Sequence, residues 1–275
     1  MSNQSNISSQ QKDSQDKELQ KKGLIIFDID GTLTPSKAPA DMEMINLLLS
    51  LLEERSVAII GGGKYSLFRE QLIDQLPSQD KRLERLYLFP TCSTAFYRFN
   101  GEWNEVYSHR LSEEEKEKIN RAFEETFQEV NYQHPEKTYG SVIEDRETQI
   151  TFSSLGQEVV AMTGEEQGVK LKQEWFDKND RLRQQMREIL QKKLPDFEVR
   201  AGGLTSIDIT RKGIDKAYGV RQISEHLNIK IEDMLFVGDA IFPGGNDYAA
   251  LETGIDYVKV ENPSDTKELI RNIID

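Results

Sequence analysis

Two aspartates, Asp28 and Asp30, stand in the stretch Phe27-Asp28-Ile29-Asp30-Gly31-Thr32-Leu33-Thr34, directly after an apolar β-type run from Gly23 to Phe27. An extended strand alternates its side chains, so the two carboxylates would share a face. Gly31 signals a bend that can swing the second acid around the first. Paired acids at the C-terminal end of a strand suit a hard cation such as Mg²⁺, and one of them can attack a phosphorus atom. A bare D-x-D is as well explained by an acidic turn after a buried strand. The flanking Gly31-Thr32-Leu33-Thr34 moves the balance towards chemistry.

A second β-run also ends in an acid: Phe236-Val237-Gly238-Asp239, followed by Ala240-Ile241-Phe242-Pro243-Gly244-Gly245-Asn246-Asp247. Ligands of open α/β sheets bind beyond the carboxyl ends of the strands, so Asp239 lies beside Asp28 and Asp30 if the two strands are neighbours. Three carboxylates at one sheet edge repel each other strongly without a cation, which makes a metal part of the expectation. Lys216, at a predicted helix start after Gly213, can neutralise charge on a nucleophile and on phosphoryl oxygens. Taken alone, such a lysine is more often a solvated one.

Strands and helices must hold these groups. From Leu24 to about Ala95 they alternate, with strands Leu24–Phe27, Val57–Ile60 and Leu86–Phe89 and helices Met42 to Leu52 and Tyr65 to Gln75. That rhythm predicts a parallel α/β sheet. The middle reads differently. Asn100-Gly101 between Ala95–Phe99 and Trp103–Tyr107 predicts a hairpin, and Ser112 to Glu115 is a capping box opening a helix with Ile119, Phe123, Phe127 and Val130 on one face. Strands are expected at Ser141–Ile143, Gln149–Ser153, Phe197–Arg200 and Ser206–Ile209. A helix is expected to be capped by Asn179 or Asp180, with Leu182, Met186, Ile189 and Leu190 inward. After Thr210 the α/β rhythm returns. The expected architecture is a discontinuous core, 23–97 plus 211–275, with an α+β cap inserted at 98–210.

A chain of 275 residues is long enough to bury a substantial core. Residues 1–22 are too poor in apolar side chains to offset their ordering entropy and read as a disordered leader. No stretch approaches a membrane span. The net charge of −13 argues against nonspecific nucleic-acid binding, so a phosphorylated substrate needs a locally positive pocket or a metal. A lone Cys92 excludes an internal disulfide and fits a reducing cytoplasm. His109, His134 and His226 have no metal-ligand spacing and read as surface or satisfied structural residues; Trp103 and Trp175 read as packing residues.

The D-x-D-G-T-L-T motif, Lys216 and G-D-x₄-G-G-N-D together resemble the haloacid dehalogenase (HAD) superfamily, and the inserted cap resembles subclass IIB. Within it the chain is similar to eukaryotic-type phosphomannomutases through Phe68-Arg69-Glu70-Gln71-Leu72, Gly202 to Asp208 and Pro243 to Asp247. The resemblance implies a Rossmann-like parallel-sheet core and a reaction through an aspartyl-phosphate on Asp28. Asp30 would protonate the leaving oxygen and then activate the incoming water or hydroxyl. It implies Mg²⁺ held by Asp28, the Asp30 carbonyl and Asp239, with Asn246 and Asp247 nearby, and contacts from Ser206 and Asp208 to a sugar or its phosphate. The oligomeric state stays open; the cap hairpin is where a homodimer could pair, as caps do in that family.

The chain departs from the family in two places. Gly61-Gly62-Gly63 replaces a Gly-Gly-Ser phosphate loop, although backbone N–H groups of Gly62 and Gly63 and of the following helix start can still meet an anion. Of the family's cap arginines only Arg146 matches; Tyr139 and Gln157 stand where others align. Lys37 or Arg200 is available to replace a missing cation. Charge-assisted hydrogen bonds contribute roughly 1.5–3 kcal/mol each. Losing two therefore weakens a second phosphate site by about two to four decades. A mutase must hold a bisphosphate in either orientation and a phosphatase need not, so the sequence leans towards a Mg²⁺-dependent sugar phosphatase. The mutase is its nearest alternative, and a non-catalytic sugar-phosphate-binding protein a third.

Overall fold

Leu24, Ile25, Ile26 and Phe27 are all fully buried because the strand they form is covered on both faces. The structure, a computed structural model, describes residues 21–36, 38–243 and 245–274. Strand β1 (Leu24–Asp28) sends Leu24 and Ile26 into one apolar cluster and Ile25 and Phe27 into another, as strand alternation requires. Around it, β2 (Ser56–Ile60), β3 (Leu86–Phe89), β4 (Ala95–Phe99), β5 (Trp103–Ser108), β10 (Met234–Gly238) and β11 (Asp256–Lys259) complete a seven-stranded sheet in the order β11-β10-β1-β2-β3-β4-β5. The first five strands in that order run parallel, and β4 and β5 are antiparallel. Helices α1 (Met42–Glu54) and α7 (Pro263–Ile274) cover one face through Leu48, Leu52 and Ile270; α6 (Lys216–Leu227) covers the other through Val220 and Ile223.

The second sheet is wholly antiparallel, in the order β6-β7-β9-β8, from β6 (Ile143–Asp145), β7 (Ile150–Ser153), β8 (Phe197–Gly202) and β9 (Ser206–Arg211). Ile207 and Ile209 of β9 and Phe152 of β7 pack on α3 (Glu113–Glu129) and on α5 (Glu165–Lys193), which follows the short α4 (Val159–Thr163), through Phe123, Met186 and Leu190. Ser206, Asp208 and Thr151 alternate with them and so belong to the opposite, polar face.

Several expectations shift. The 95–108 hairpin closes the edge of the seven-stranded sheet, so the expected boundary at 98 falls inside β4. Asn179 and Asp180 do not start a helix. They lie within the 29-residue α5, where Asn179 Nδ2 donates to Trp175 O (2.9 Å) and Asp180 pairs with Arg183 (2.7 Å). The polar first half of α5 hides its period, and either residue bonds locally as readily inside a helix as at its cap. Helix α2 (Tyr65–Gln71) stops before Gln75, with a 3₁₀ turn beyond it. Of the leader expected over 1–22, residues 1–20 lie outside the described residues. Lys22 pairs with Asp256 and donates to Glu232 O (2.6 Å). Among the described residues no helix is long and apolar enough to cross a membrane.

Candidate active site

Strands β1 and β10 are direct neighbours, with Phe27 opposite Val237, so their C-terminal acids emerge side by side. After Asp28 the chain turns at once: the N–H groups of Leu33 and Thr34 both donate to Ile29 O (3.0 Å), and Gly31 takes φ +83°. A Cβ on Gly31 would lie 2.6 Å from Asp239 Oδ2. Glycine therefore serves both the bend and the close approach of Asp239.

Lys216 reaches the same point from the first turn of α6, where the Asp215 cap accepts from Tyr218 N (2.7 Å) and fixes the helix start. Its fully buried Nζ lies 2.5 Å from Asp28 Oδ1 and also bonds Asp247 Oδ1. Asp247 Oδ2 accepts from Ala240 N (3.0 Å), and the missing side chain of Gly238 makes room for that carboxylate. Asp28, Asp239 and Asp247 each offer an oxygen within 4.8 Å of the others.

Burial pushes the Asp28 carboxyl well above the ordinary carboxylate range; Lys216 pulls it back, and Asp247 pushes it up further. Burial likewise raises Asp239, with Asp247 adding to it. Burial opposes the charge on Lys216, but Asp247 and Asp28 outweigh it and keep the ammonium protonated. Three carboxyl groups against one ammonium concentrate negative charge at a site where Asp28 and Asp247 are buried and Asp239 is half-buried. An all-oxygen donor set with that surplus fits a hard divalent cation.

Asp30 stands apart from this cluster. Its Oδ1 accepts from Gln71 Nε2 (3.0 Å), whose other hydrogen goes to Thr34 Oγ1 (3.0 Å). Asn246 is exposed beside the buried Asp247. Lys37 lies outside the described residues.

The polar face of the second sheet supplies the opposite wall. Arg200 sits across the β8–β9 ladder from Asp208, and its guanidinium donates to Ile214 O (2.7 Å) and Asp215 Oδ2 (3.2 Å), at the foot of α6. Asp208 accepts from Thr151 Oγ1 (2.7 Å), and Ser206 lies half-buried at the head of the same strand. Arg146 is already engaged: Nη1 donates to Gly62 O (2.8 Å), Nε to Glu144 (2.8 Å) and Nη2 to Gln157 Oε1 (3.1 Å). Gly62 thus meets the second sheet through its carbonyl, while the Gly63 carbonyl accepts from Thr91 N (2.9 Å). Tyr139 is buried against Leu155, Val159 and Trp175.

Three further residues at the site are given no role by the sequence, although Gln71 lies in one of the stretches that carry the resemblance. Gln71 is an amide at the end of a short helix. Cys92, in a left-handed turn with Thr91 and Ser93, lies within the fields of Lys216, Asp208, Arg200 and Asp28, and so marks where the two walls meet. Lys172, on α5, is half-buried and its ammonium is pushed down by desolvation, with Asp30 the charge that pulls it back up.

A family model described as eukaryotic phosphomannomutase matches residues 44–275. The chain belongs to that family. Among its phosphomannomutase relatives, that of Encephalitozoon cuniculi is 30% identical over 251 residues, covering 89% of this chain and 91% of the relative. That of Saccharomyces cerevisiae is 27% identical over 255 residues, covering 91% and 93%. Among solved structures, an IMP-nucleotidase of Plasmodium falciparum superposes with TM-score 0.66 at 17% identity, over 94% of this chain and 70% of that one. A trehalose-6-phosphate phosphatase of Aspergillus fumigatus gives 0.55 at 16%, over 94% and 97%. These two likenesses speak for the HAD fold alone; the family match makes the protein a HAD-type phosphotransferase.

Proposed function

We propose that the protein is a hexose-phosphate mutase of the phosphomannomutase type, moving a phosphoryl group between two positions of a sugar through an aspartyl-phosphate on Asp28. The observation that carries this reading is the buried Asp28–Lys216–Asp247 chain with Asp239 beside it, in a member of that family. In the reaction, an Asp28 oxygen bonds to phosphorus as the ester P–O bond breaks, and Asp30 gives its proton to the leaving oxygen. The acceptor hydroxyl then returns its proton to Asp30 as it takes the phosphoryl group from Asp28. Lys216 stays protonated throughout and holds Asp28 in line, itself oriented by Asp247.

Asp28, Asp239 and the Asp30 carbonyl, with Asn246 and Asp247 beside them, would hold Mg²⁺, which when bound neutralises charge on the transferring phosphoryl oxygens. Ser206, Asp208 and Arg200 would meet the sugar end. The same reading divides the chain into a core and a cap built on the four-stranded sheet. It also keeps the cytoplasmic setting and a homodimer paired through the cap as proposals.

Hydrolysis is the second reading, favoured by one observation. Arg146, the cap arginine the resemblance assigns to a phosphate, is already bound to Gly62, Glu144 and Gln157, and Tyr139 is buried against Leu155, Val159 and Trp175. One assay separates the two: mannose 1-phosphate with a catalytic amount of hexose bisphosphate, with and without Mg²⁺, following free phosphate against the 6-phosphate. Isomer without phosphate release supports the mutase, and stoichiometric phosphate release supports hydrolysis. Asp28→Asn should lower either activity by about three orders of magnitude or more; unchanged turnover would end the aspartyl-phosphate reading.

A further inference from the structure

We propose that Gln71 is a positioning residue for the reaction, its amide fixing the Asp30 carboxyl in the orientation that delivers a proton to the leaving oxygen. The proposal rests on the reading of Asp30 as proton donor. Gln71 is the last residue of α2 and is 1% exposed. Both hydrogens of Nε2 are used, one on Asp30 Oδ1 and one on Thr34 Oγ1, each at 3.0 Å. Thr34 is itself fixed to the turn, its N–H donating to Ile29 O (3.0 Å). The backbone carbonyl of Gln71 accepts from Ala40 N (2.7 Å), which anchors the residue from the other side. The amide is therefore a rigid brace between Asp30 and the backbone of the turn that bears Asp28 and Asp30.

Packing alone does not account for an amide here. Gln71 Oε1 is buried with no hydrogen-bond partner among the described residues, and a buried acceptor left unpaired is destabilising. Methionine would fill nearly the same volume with no unpaired oxygen. Glutamate would set a second carboxylate against Asp30. What glutamine alone adds is an uncharged N–H donor aimed at the carboxylate. Turned over about its last bond, the same amide would present Oε1 to the O–H of a protonated Asp30, so it has a partner to offer before and after the proton moves.

The leaving group provides the test. When Asp28 takes the phosphoryl group from a hexose 6-phosphate, the departing oxygen is a primary alkoxide and needs the proton of Asp30. From p-nitrophenyl phosphate the departing oxygen leaves as a stable phenolate and needs none. Single-turnover formation of the aspartyl-phosphate is measured with both esters in wild type, Gln71→Met and Gln71→Glu. The expected result is a fall of about 30-fold or more in the rate with the sugar ester, its half-saturating concentration little changed, while the nitrophenyl ester reacts within about threefold of wild type. That second ester also reports whether the fold and Asp28 are intact. An equal loss on both esters in both variants, or no loss on either, overturns the role of Gln71. Failure of the wild type to form an aspartyl-phosphate from either ester overturns instead the reading of Asp28 and Asp30 on which it rests.

Discussion

At the residue scale, Lys216 has the most to lose. Its ammonium is fully buried and bonded to two carboxylates that are themselves buried. Removing one partner of a buried ion pair strands the others, at a cost of about 3–5 kcal/mol. Lys216→Met should lower the unfolding free energy by about that amount in urea titrations without divalent ions, and part of the loss should return when Mg²⁺ is added. A loss under about 1 kcal/mol would mean that the carboxylates have another source of compensation. Cys92 gives a pH-dependent counterpart. Desolvation by its neighbours pushes the thiol of this half-buried residue from 9.0 up to about 11, so between those values the unfolded chain is ionised there and the native state is not. Native stability is therefore unaffected by Cys92 below about pH 9 and falls as pH rises towards 11. Cys92→Ala should flatten that alkaline slope, and iodoacetamide should label native Cys92 slowly until the pH exceeds about 10. Rapid labelling at pH 8 would contradict this placement.

At the element scale, the sheet positions the site and the helices set its tolerances. Gly219 shows how tight they are: a Cβ there would lie 2.4 Å from Ile60 Cδ1 and 2.5 Å from Ser93 Oγ. Helix α6 can approach β2 and the Thr91–Ser93 turn only because that side chain is missing. Gly219→Ala should destabilise the protein by about 1–3 kcal/mol and, by pushing Lys216 outward, lower turnover more than it lowers the denaturation midpoint would suggest. Equal activity per folded molecule would show that α6 shifts without moving Lys216. The same scale explains what could be read from the chain. Strands β1 and β10 are short apolar runs with an aspartate at or just after the end, so their existence and the type of each acid could be read from the pattern, while their pairing, on which the gathering of Asp28 and Asp239 depends, is supplied by the sheet. The start of α5 and the end of α2 depend on local capping and long-range packing, which leave only a weak period. Gln71 and Lys172 come to the site by tertiary placement, and no spacing within a helix announces it.

At the scale of the whole molecule, the two sheets meet through polar groups, with separate apolar clusters behind each. Across the cleft run Arg146 to Gly62 O (2.8 Å), Lys64 to Glu144 (2.7 Å) and the Thr94–Thr148 hydroxyl pair (2.5 Å). Glu144 is the hinge of this set because it bonds both Lys64 and Arg146. Burial is the largest single influence on its carboxyl and pushes it up, yet Lys64 and Arg146 together hold it below its ordinary 4.5. A depressed acid stabilises the folded contact above the unfolded value, and that contribution fades as pH falls through the lower, folded value. Partly exposed pairs of this kind contribute about 1 kcal/mol or less, far below what either apolar cluster contributes. Acidification below about pH 4.5, or Glu144→Gln at pH 7, should therefore loosen the polar contact between the two sheets while each stays folded. Hydrogen exchange read by mass spectrometry should then speed up in the peptides spanning 61–64 and 143–149. The peptides of β1 and β10, and of β7 and β9 beyond residue 149, should keep their protection. Uniform acceleration in Glu144→Gln would show instead that the polar seam and the two cores unfold as one cooperative unit.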